Sequence, residues 1–209
     1  MGRERLQFVN RNEHIRIEGA KLPHWNQHDC VQIVTFRLAD SLPQTRLREY
    51  RQEKEQWLST HPKPWDEAMQ REYDNTFTAV MDRWIDAGYG ECILKEKAVR
   101  DAVTEPIMHF DGDRYDIHAY VIMPNHVHVL MTPLGGHTVQ TIVGGWKRYS
   151  SSQINRLLNR EGSVWERECF DRLVRNADEF TAHVCYIKDN PRNMPESWYT
   201  PFVRQEMEI

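Results

Sequence analysis

The sequence predicts a ferredoxin-like α+β sandwich, in which helices cover an antiparallel sheet. Residues 30–38 alternate in polarity and are rich in β-branched side chains, as expected of a half-buried strand. Residues 116–133 indicate two apolar strands joined by a tight turn, with helical patterns on either side of them. The resulting order is strand, helices, strand, strand, helix, helix, which is typical of this class.

The composition is that of a folded protein. The chain has 209 residues, 40% of them hydrophobic, which suffice for one domain with a sizeable core. It contains no run of eighteen apolar residues that would span a membrane, and its first residues lack the apolar region of a signal peptide. We therefore expect a cytoplasmic protein without a membrane partner. The four cysteines are widely spaced and form no CxxC pair, so they are interpreted as packing residues.

The first part of the chain is expected to lie at the periphery of the domain rather than form its centre. Residues 1–20 are polar and rich in arginine, so we predict an arm that precedes a single domain of residues 21–209. This arm either has no fixed structure or lies along a DNA backbone. Residues 43–66 place a strongly charged helix between proline-containing turns and are interpreted as a helical insertion on the outside of the domain. Residues 66–86 show the apolar stripe of an amphipathic helix that faces the core.

The hairpin follows a further helix, which is expected over residues 95–109 and is interrupted near its end by a proline. Asn125 is placed in the hairpin turn, because asparagine tolerates a positive φ. This register puts Val121 opposite His128, and it puts His118 on the opposite face from His128. His118 is therefore not expected to bind a metal.

The second hairpin strand carries a candidate metal site. His126 and His128 alternate with apolar residues, so both imidazoles point to the same face of the strand. Two neutral imidazoles form two corners of a metal site, although such a pair is also found on half-solvated strands without a metal. The sequence has no HExxH motif and no H-x-E followed by PCxxC, which excludes zincin and deaminase sites. A third ligand must come from another element.

The helix predicted over residues 137–159 carries Tyr149 and Gln153, whose i, i+4 spacing places them on one face. A phenol is a usable nucleophile once a cation stabilises its ionised form or polarises its target. A glutamine carbonyl is a suitable ligand for Mg²⁺ or Mn²⁺. The same spacing is also typical of an ordinary solvated helix surface.

The ends and the interior of this helix carry further signals. Thr138 is the expected N-cap. Gly144 and Gly145 interrupt the helical pattern at a cost of about 1 kcal/mol each in helix propensity. The glycine pair is interpreted either as a hinge that lets the tyrosine swing or as a place where the backbone packs closely against the sheet. A last helix is predicted over residues 177–189.

The charge distribution bears on nucleic-acid binding. The chain carries a net charge of −4, whereas nucleic-acid-binding proteins are more often basic. Residues 147–175 instead contain seven basic and four acidic residues, a local balance of +3. The candidate DNA contacts in this stretch are Lys147, Arg148, Arg156, Trp165 and Arg167. The indole of Trp165 is either a platform for an exposed base or part of the core.

Three segments of the sequence resemble a known family. HAYVIMPNHVHVLMTP, GGWKRYSSSQINRLLNREGSVWERECFDRLVRN and HVCYIKDNP together are similar to the IS200-type single-tyrosine transposases of the HUH endonuclease superfamily. With LPHW and IVTFRLADSLP near the start, they look most like the branch associated with bacterial repetitive extragenic palindromes. The resemblance covers residues 20–43 and 88–190 in order.

This resemblance implies a site and a reaction. His126 and His128 would bind Mg²⁺ or Mn²⁺, and Tyr149 would attack a DNA phosphate. Gln153 occupies the position, four residues after the tyrosine, that binds metal in some relatives. The implied reaction is cleavage and strand transfer of single-stranded DNA through a 5′-phosphotyrosine, at hairpin-forming palindromic DNA. Relatives act as monomers or homodimers, and a nucleoid-associated location is expected.

Two other functions are compatible with the sequence. One is a domesticated DNA-binding protein or repressor with the same fold and a little-used active site, which metal-dependent cleavage of a labelled oligonucleotide would exclude. The other is an unrelated HxH phosphoesterase, which would release free DNA ends and tolerate the loss of Tyr149.

Overall fold

The computed structural model of the protein describes residues 6–10, 16–18, 24–62 and 65–205. Within these residues, a five-stranded sheet forms the centre of the molecule. With strands numbered in chain order, it consists of β3 (Gln32–Arg37), β4 (Tyr115–Ile122), β5 (His126–Pro133), β6 (Phe170–Leu173) and β7 (Thr200–Val203). The strands are arranged in the order β6-β3-β5-β4-β7, and all neighbouring pairs are antiparallel.

The α-helices of the described residues are α1 (Gln44–Thr60), α2 (Glu67–Tyr73), α3 (Ala79–Asp86), α4 (Lys97–His109), α5 (Val139–Leu157) and α6 (Ala177–Asp189). The run β3-α4-β4-β5-α5-β6 has the βαββαβ order of the ferredoxin-like class, and its strands lie side by side as fourth, first, third and second. The predicted α+β class is therefore confirmed, and β7 adds an edge strand. No helix of the described residues is long and apolar enough to cross a membrane.

The two faces of the sheet are covered by different helices. On one face, Val127 and Val129 of β5 belong to a core cluster with residues of α4 and α5, among them Trp146. On the other face, Val121 of β4 belongs to a second cluster with Phe180 and other residues of α6. Because side chains alternate along a strand, the β5 residues next to Val127 point toward α6.

The hairpin register agrees with the prediction, since Val121 lies opposite His128. A β-bulge in β4, at His118, shifts the earlier part of the strand by one residue. This shift turns the His118 ring toward α6, where it meets Phe180 at a centroid distance of 5.4 Å. The prediction that His118 faces away from His128 is therefore wrong. The His118 Nε2 atom lies 2.8 Å from the hydroxyl of Thr132, further along β5.

The helix predicted over residues 66–86 consists of α2 and α3, joined by a π-helical turn at Asp74–Thr78. Together with α1, these helices bury a third apolar cluster that includes Leu47, Phe77 and Ile85. The charged insertion is thus attached to the domain through an apolar interface of its own.

Two predicted interruptions lie inside continuous helices. α4 contains Pro106 and runs on to His109. α5 contains Gly144 and Gly145, and a Cβ added at either position would meet no heavy atom within 4 Å. Close packing of the backbone against the sheet is therefore not the reason for the glycine pair, and the hinge interpretation stays a prediction. The N-cap at Thr138 is confirmed.

Part of the predicted arm of residues 1–20 is described. Leu6 and Phe8 pack against the apolar cluster beside α6. The short strands β1 (Arg16–Glu18) and β2 (His24–Asn26) pair with each other in a separate antiparallel ribbon. The described parts of the arm, residues 6–10 and 16–18, are therefore folded onto other parts of the protein, whereas residues 1–5, 11–15 and 19–20 of it lie outside the described residues.

Candidate active site

The predicted imidazole pair lies at the start of β5, on the face of the sheet that α6 covers. His126 and His128 are 1% and 2% exposed. Their Nε2 atoms lie 3.0 Å apart, and their ring planes are inclined by 79°. The alternation of the strand brings both nitrogens to one point, as the sequence predicted.

The His126 ring is oriented by the asparagine of the hairpin turn. The Nδ2 of Asn125 donates to the carbonyl oxygens of Ile85 and Tyr89, both at 3.1 Å, which directs its Oδ1 toward the ring. The Nδ1–H of His126 donates to this oxygen at 2.8 Å. A neutral imidazole carries one N–H, so the Nε2 of His126 keeps its lone pair for a ligand.

The second ring is oriented from β3, where the Thr35 hydroxyl lies 2.7 Å from the Nδ1 of His128. Burial lowers the pKa of His128 to about 3, helped by the nearby His183. Burial and the proximity of His128 also lower the pKa of His126 well below its usual value. Both rings are therefore neutral at neutral pH, which is the form that binds a metal.

Asp86, the last residue of α3, reaches the same point. Its Oδ1 lies 3.4 Å from the Nε2 of His126. One ligand atom from each of Asp86, His126 and His128 lies within 4.8 Å of the other two. Ligand atoms about 2.1 Å from a cation are roughly 3.0–3.4 Å apart, so this donor set fits a divalent metal. Burial raises the pKa of the Asp86 carboxyl, and a hydrogen bond with the Asn190 side chain opposes this effect.

The tyrosine beside this cluster is Tyr186 of α6. Its hydroxyl lies 3.3 Å from the Nε2 of His128, and the two rings meet at a centroid distance of 5.2 Å and an angle of 75°. One helical turn later, the side chain of Asn190 forms its hydrogen bond with Asp86. A phenol and an amide at i, i+4 spacing thus approach the metal donors from α6.

The structure does not bring Tyr149 to the imidazoles. Tyr149 lies on α5, which packs on the opposite face of the sheet, and its side chain is 41% exposed. Its hydroxyl donates to the Oε1 of Glu105 at 2.7 Å, and this hydrogen bond raises the pKa of Tyr149. The Oε1 of Gln153 accepts from the Nη1 of Arg156 at 3.3 Å. The roles predicted for Tyr149 and Gln153 would need a movement of α5 or a second copy of the chain.

Two of the predicted DNA contacts, Lys147 and Trp165, contact other parts of the protein, whereas the other three are exposed. Lys147 donates through its Nζ to three backbone carbonyls of residues 166–168 and so holds that loop. Trp165 is 4% exposed, belongs to the core and donates through its Nε1 to the hydroxyl of Ser150 at 2.9 Å. Its burial contradicts the stacking role and favours the core alternative. The side chains that are exposed are Arg148, Arg156 and Arg167.

Two residues near the imidazole pair, Tyr186 and Asp86, were not predicted from the sequence. Tyr186 lies in the segment HVCYIKDNP and is followed four residues later by Asn190. This is the same spacing as that between Tyr149 and Gln153, so it was a usable signal for Tyr186 as well. No motif marks Asp86, because its contact with His126 depends on how α3 packs against the hairpin turn.

Comparison with known proteins finds a family similarity over part of the chain. Residues 92–190 match the family model described as "Transposase IS200 like". Among curated proteins, none matches the chain. A solved structure, described as "Structure of the REP associates tyrosine transposase bound to a REP hairpin", aligns with a TM-score of 0.41 and 15% identity over 92% of this chain and 73% of that chain.

The matched segment contains β4, β5, α5 and α6, and therefore both the imidazole pair and Tyr186. This segment, just under half of the chain, is similar to the IS200-like transposases, in agreement with the sequence resemblance. Asp86 precedes the segment.

Proposed function

We propose that the protein is a metal-dependent, single-tyrosine strand transferase that cleaves single-stranded DNA. The observation that carries the proposal is the position of the Tyr186 hydroxyl, 3.3 Å from one of two imidazoles that are oriented for metal binding. Of the two candidate tyrosines, Tyr186 stands beside the imidazoles and Tyr149 does not. We therefore assign the nucleophile to Tyr186.

In the proposed reaction, the Oη of Tyr186 attacks a DNA phosphorus atom in line with the departing 3′ oxygen. The bond between Oη and phosphorus forms as the bond to the 3′ oxygen breaks. The phenol proton passes to solvent, and the 3′ oxygen takes up a proton from solvent. The products are a 5′-phosphotyrosine and a free 3′-OH, and attack by another 3′-OH rejoins strands without ATP because one phosphoester replaces another.

The imidazoles of His126 and His128 would hold Mg²⁺ or Mn²⁺. The bound cation supplies stabilisation of the negative charge that develops on the phosphate. Asn125 fixes the tautomer of His126, so that its free nitrogen faces the cation position. α6 holds the Tyr186 ring against His128, which would keep the nucleophile close to a phosphate at the site of a cation held by the imidazoles.

The proposed substrate is hairpin-forming palindromic DNA in the cytoplasm, and this part of the proposal is supported by the sequence resemblance alone. One chain supplies both the imidazoles and Tyr186, so a monomer suffices for cleavage and a homodimer is not required. The exposed arginines on and after α5 remain predicted DNA contacts.

An adduct assay tests the proposal. Single-stranded oligonucleotides that carry a stable hairpin and random flanks are labelled at the 3′ end, since that fragment stays on the protein, and are incubated with the full chain and Mn²⁺. A labelled band that survives denaturing electrophoresis is expected for the wild type and for Tyr149→Phe, and its absence for Tyr186→Phe.

Other outcomes would exclude the proposal. An undiminished adduct in Tyr186→Phe moves the nucleophile elsewhere. Free DNA ends without an adduct indicate a phosphoesterase, and binding without cleavage indicates a DNA-binding protein or repressor.

A further inference from the structure

We infer that Asp86 is the third ligand of the metal site. The helices that precede the transposase segment position Asp86 beside the two imidazoles. The inference rests on the proposed metal-dependent function and specifies how its cation is held. Asp86 belongs to α3, whereas His126 and His128 belong to β5 within residues 92–190.

The distances suit a shared cation. The Nε2 atoms of His126 and His128 are 3.0 Å apart, and the Oδ1 of Asp86 is 3.4 Å from the first of them. These separations match those of ligand atoms about 2.1 Å from a metal, which are roughly 3.0–3.4 Å apart. The carboxylate therefore needs little rearrangement to join the imidazoles.

The position of Asp86 is fixed from two sides. Ile85 is 1% exposed in the apolar cluster of α1 and α3, and its carbonyl accepts from Asn125, the residue that orients His126. From the other side, the side chain of Asn190, the residue directly after α6, hydrogen-bonds to the Asp86 carboxyl. The Asp86 side chain is nevertheless 38% exposed, so a cation reaches it from solvent.

The third ligand that the sequence predicted is less well placed. Gln153 lies on α5, on the opposite face of the sheet, where its carbonyl oxygen accepts from Arg156. Within the part of the chain that the structure describes, the group formed by Asp86, His126 and His128 is the one set of three His, Cys, Asp or Glu side chains with metal-ligand spacing.

The donor set also suits the reaction. Two neutral imidazoles and one carboxylate leave a divalent cation with a net positive charge, which attracts a DNA phosphate. Two imidazoles and one carboxylate, with the remaining positions open, suit a divalent first-row metal that must also bind a substrate oxygen.

Titration of the full chain with Mn²⁺ in the absence of DNA, followed by electron paramagnetic resonance of the free ion, tests this assignment. We expect wild type to bind one Mn²⁺ and Asp86→Asn to weaken binding at least about tenfold. Gln153→Ala should change the affinity less than about twofold. Asp101→Asn, which removes an exposed carboxylate on α4, is the charge-matched control and should also leave it unchanged.

Each further result has a distinct meaning. Wild-type affinity in both Asp86→Asn and Asp86→Ala overturns the role of Asp86 and leaves the proposed function standing. Loss of binding in Gln153→Ala instead moves the third ligand to α5. If wild type binds no Mn²⁺, the metal dependence in the proposed function fails as well. Unchanged urea unfolding midpoints of the metal-free variants show that a loss of binding is not a loss of folding.

Discussion

The helices α5 and α6 lie on opposite faces of one sheet and carry the same local pattern. α5 presents Tyr149 and, four residues later, Gln153. α6 presents Tyr186, and Asn190 follows four residues later, directly after the helix ends at Asp189. The Tyr149 hydroxyl is bound to a glutamate on the outside of α4, whereas the Tyr186 hydroxyl lies 3.3 Å from His128.

This difference shows which property of the sequence determines the tyrosine that lies beside the imidazoles. Spacing along a helix puts a tyrosine and an amide on one face, but it does not say which side of the sheet that face meets. The side is set by strand parity: His126 and His128 alternate with Val127, which packs against α4 and α5. The imidazoles must therefore face α6, and α6 supplies the tyrosine beside them.

The largest expected effect is a loss of stability on the face of the sheet that α5 covers. Trp165→Ala should lower the free energy of unfolding by about 3–5 kcal/mol, because it removes a buried indole from the cluster beneath α5. Urea denaturation measures the loss. Trp165→Phe should retain the DNA affinity of the wild type, and a tenfold loss of affinity in this variant at unchanged stability would restore the stacking role.

A smaller effect, on Mn²⁺ affinity, is expected on the face of the sheet that α6 covers. Asn125→Ala should weaken Mn²⁺ binding about 10–100-fold, because the His126 tautomer is no longer fixed. Calorimetric titration with Mn²⁺ measures the change. Asn155→Ala is the matched control, since this asparagine donates to the Gly162 carbonyl at the end of α5. Equal affinities in the two variants would contradict the orienting role of Asn125.

The smallest expected effect compares the caps of the two helices. Asn176 accepts from the Glu179 N–H at 2.8 Å at the start of α6, whereas Thr138 accepts from the Thr141 N–H at 3.4 Å at the start of α5. Asn176→Ala should cost about 1 kcal/mol of unfolding free energy, and Thr138→Ala less than that. Urea denaturation of both variants checks the order, and a larger loss for Thr138→Ala would reverse it.

Much of the fold was predictable from local patterns. The alternation in β3, the hairpin register at Val121 and His128, and the helices α5 and α6 follow from periodicity. The positive φ expected of Asn125 in the hairpin turn is not observed. The bulge that turned His118 toward α6 was not predictable, because an extra residue in a strand leaves no mark in the polarity pattern.

The site was predictable in part. His126 and His128 follow from strand parity, and the structure places their nitrogens together. The choice between Tyr149 and Tyr186 needed the side of the sheet on which each helix packs. Asp86 meets the imidazoles through the packing of α3 against the hairpin turn, a tertiary contact with no sequence motif.

The central claim is that the tyrosine on the α6 face is the one that becomes bonded to DNA. Incubation of the wild-type chain with Mn²⁺ and hairpin-bearing single-stranded DNA, followed by nuclease and protease digestion and mass spectrometry, locates the modified residue. We expect a nucleotide attached to the peptide that contains Tyr186. A nucleotide attached to the peptide that contains Tyr149 would contradict it.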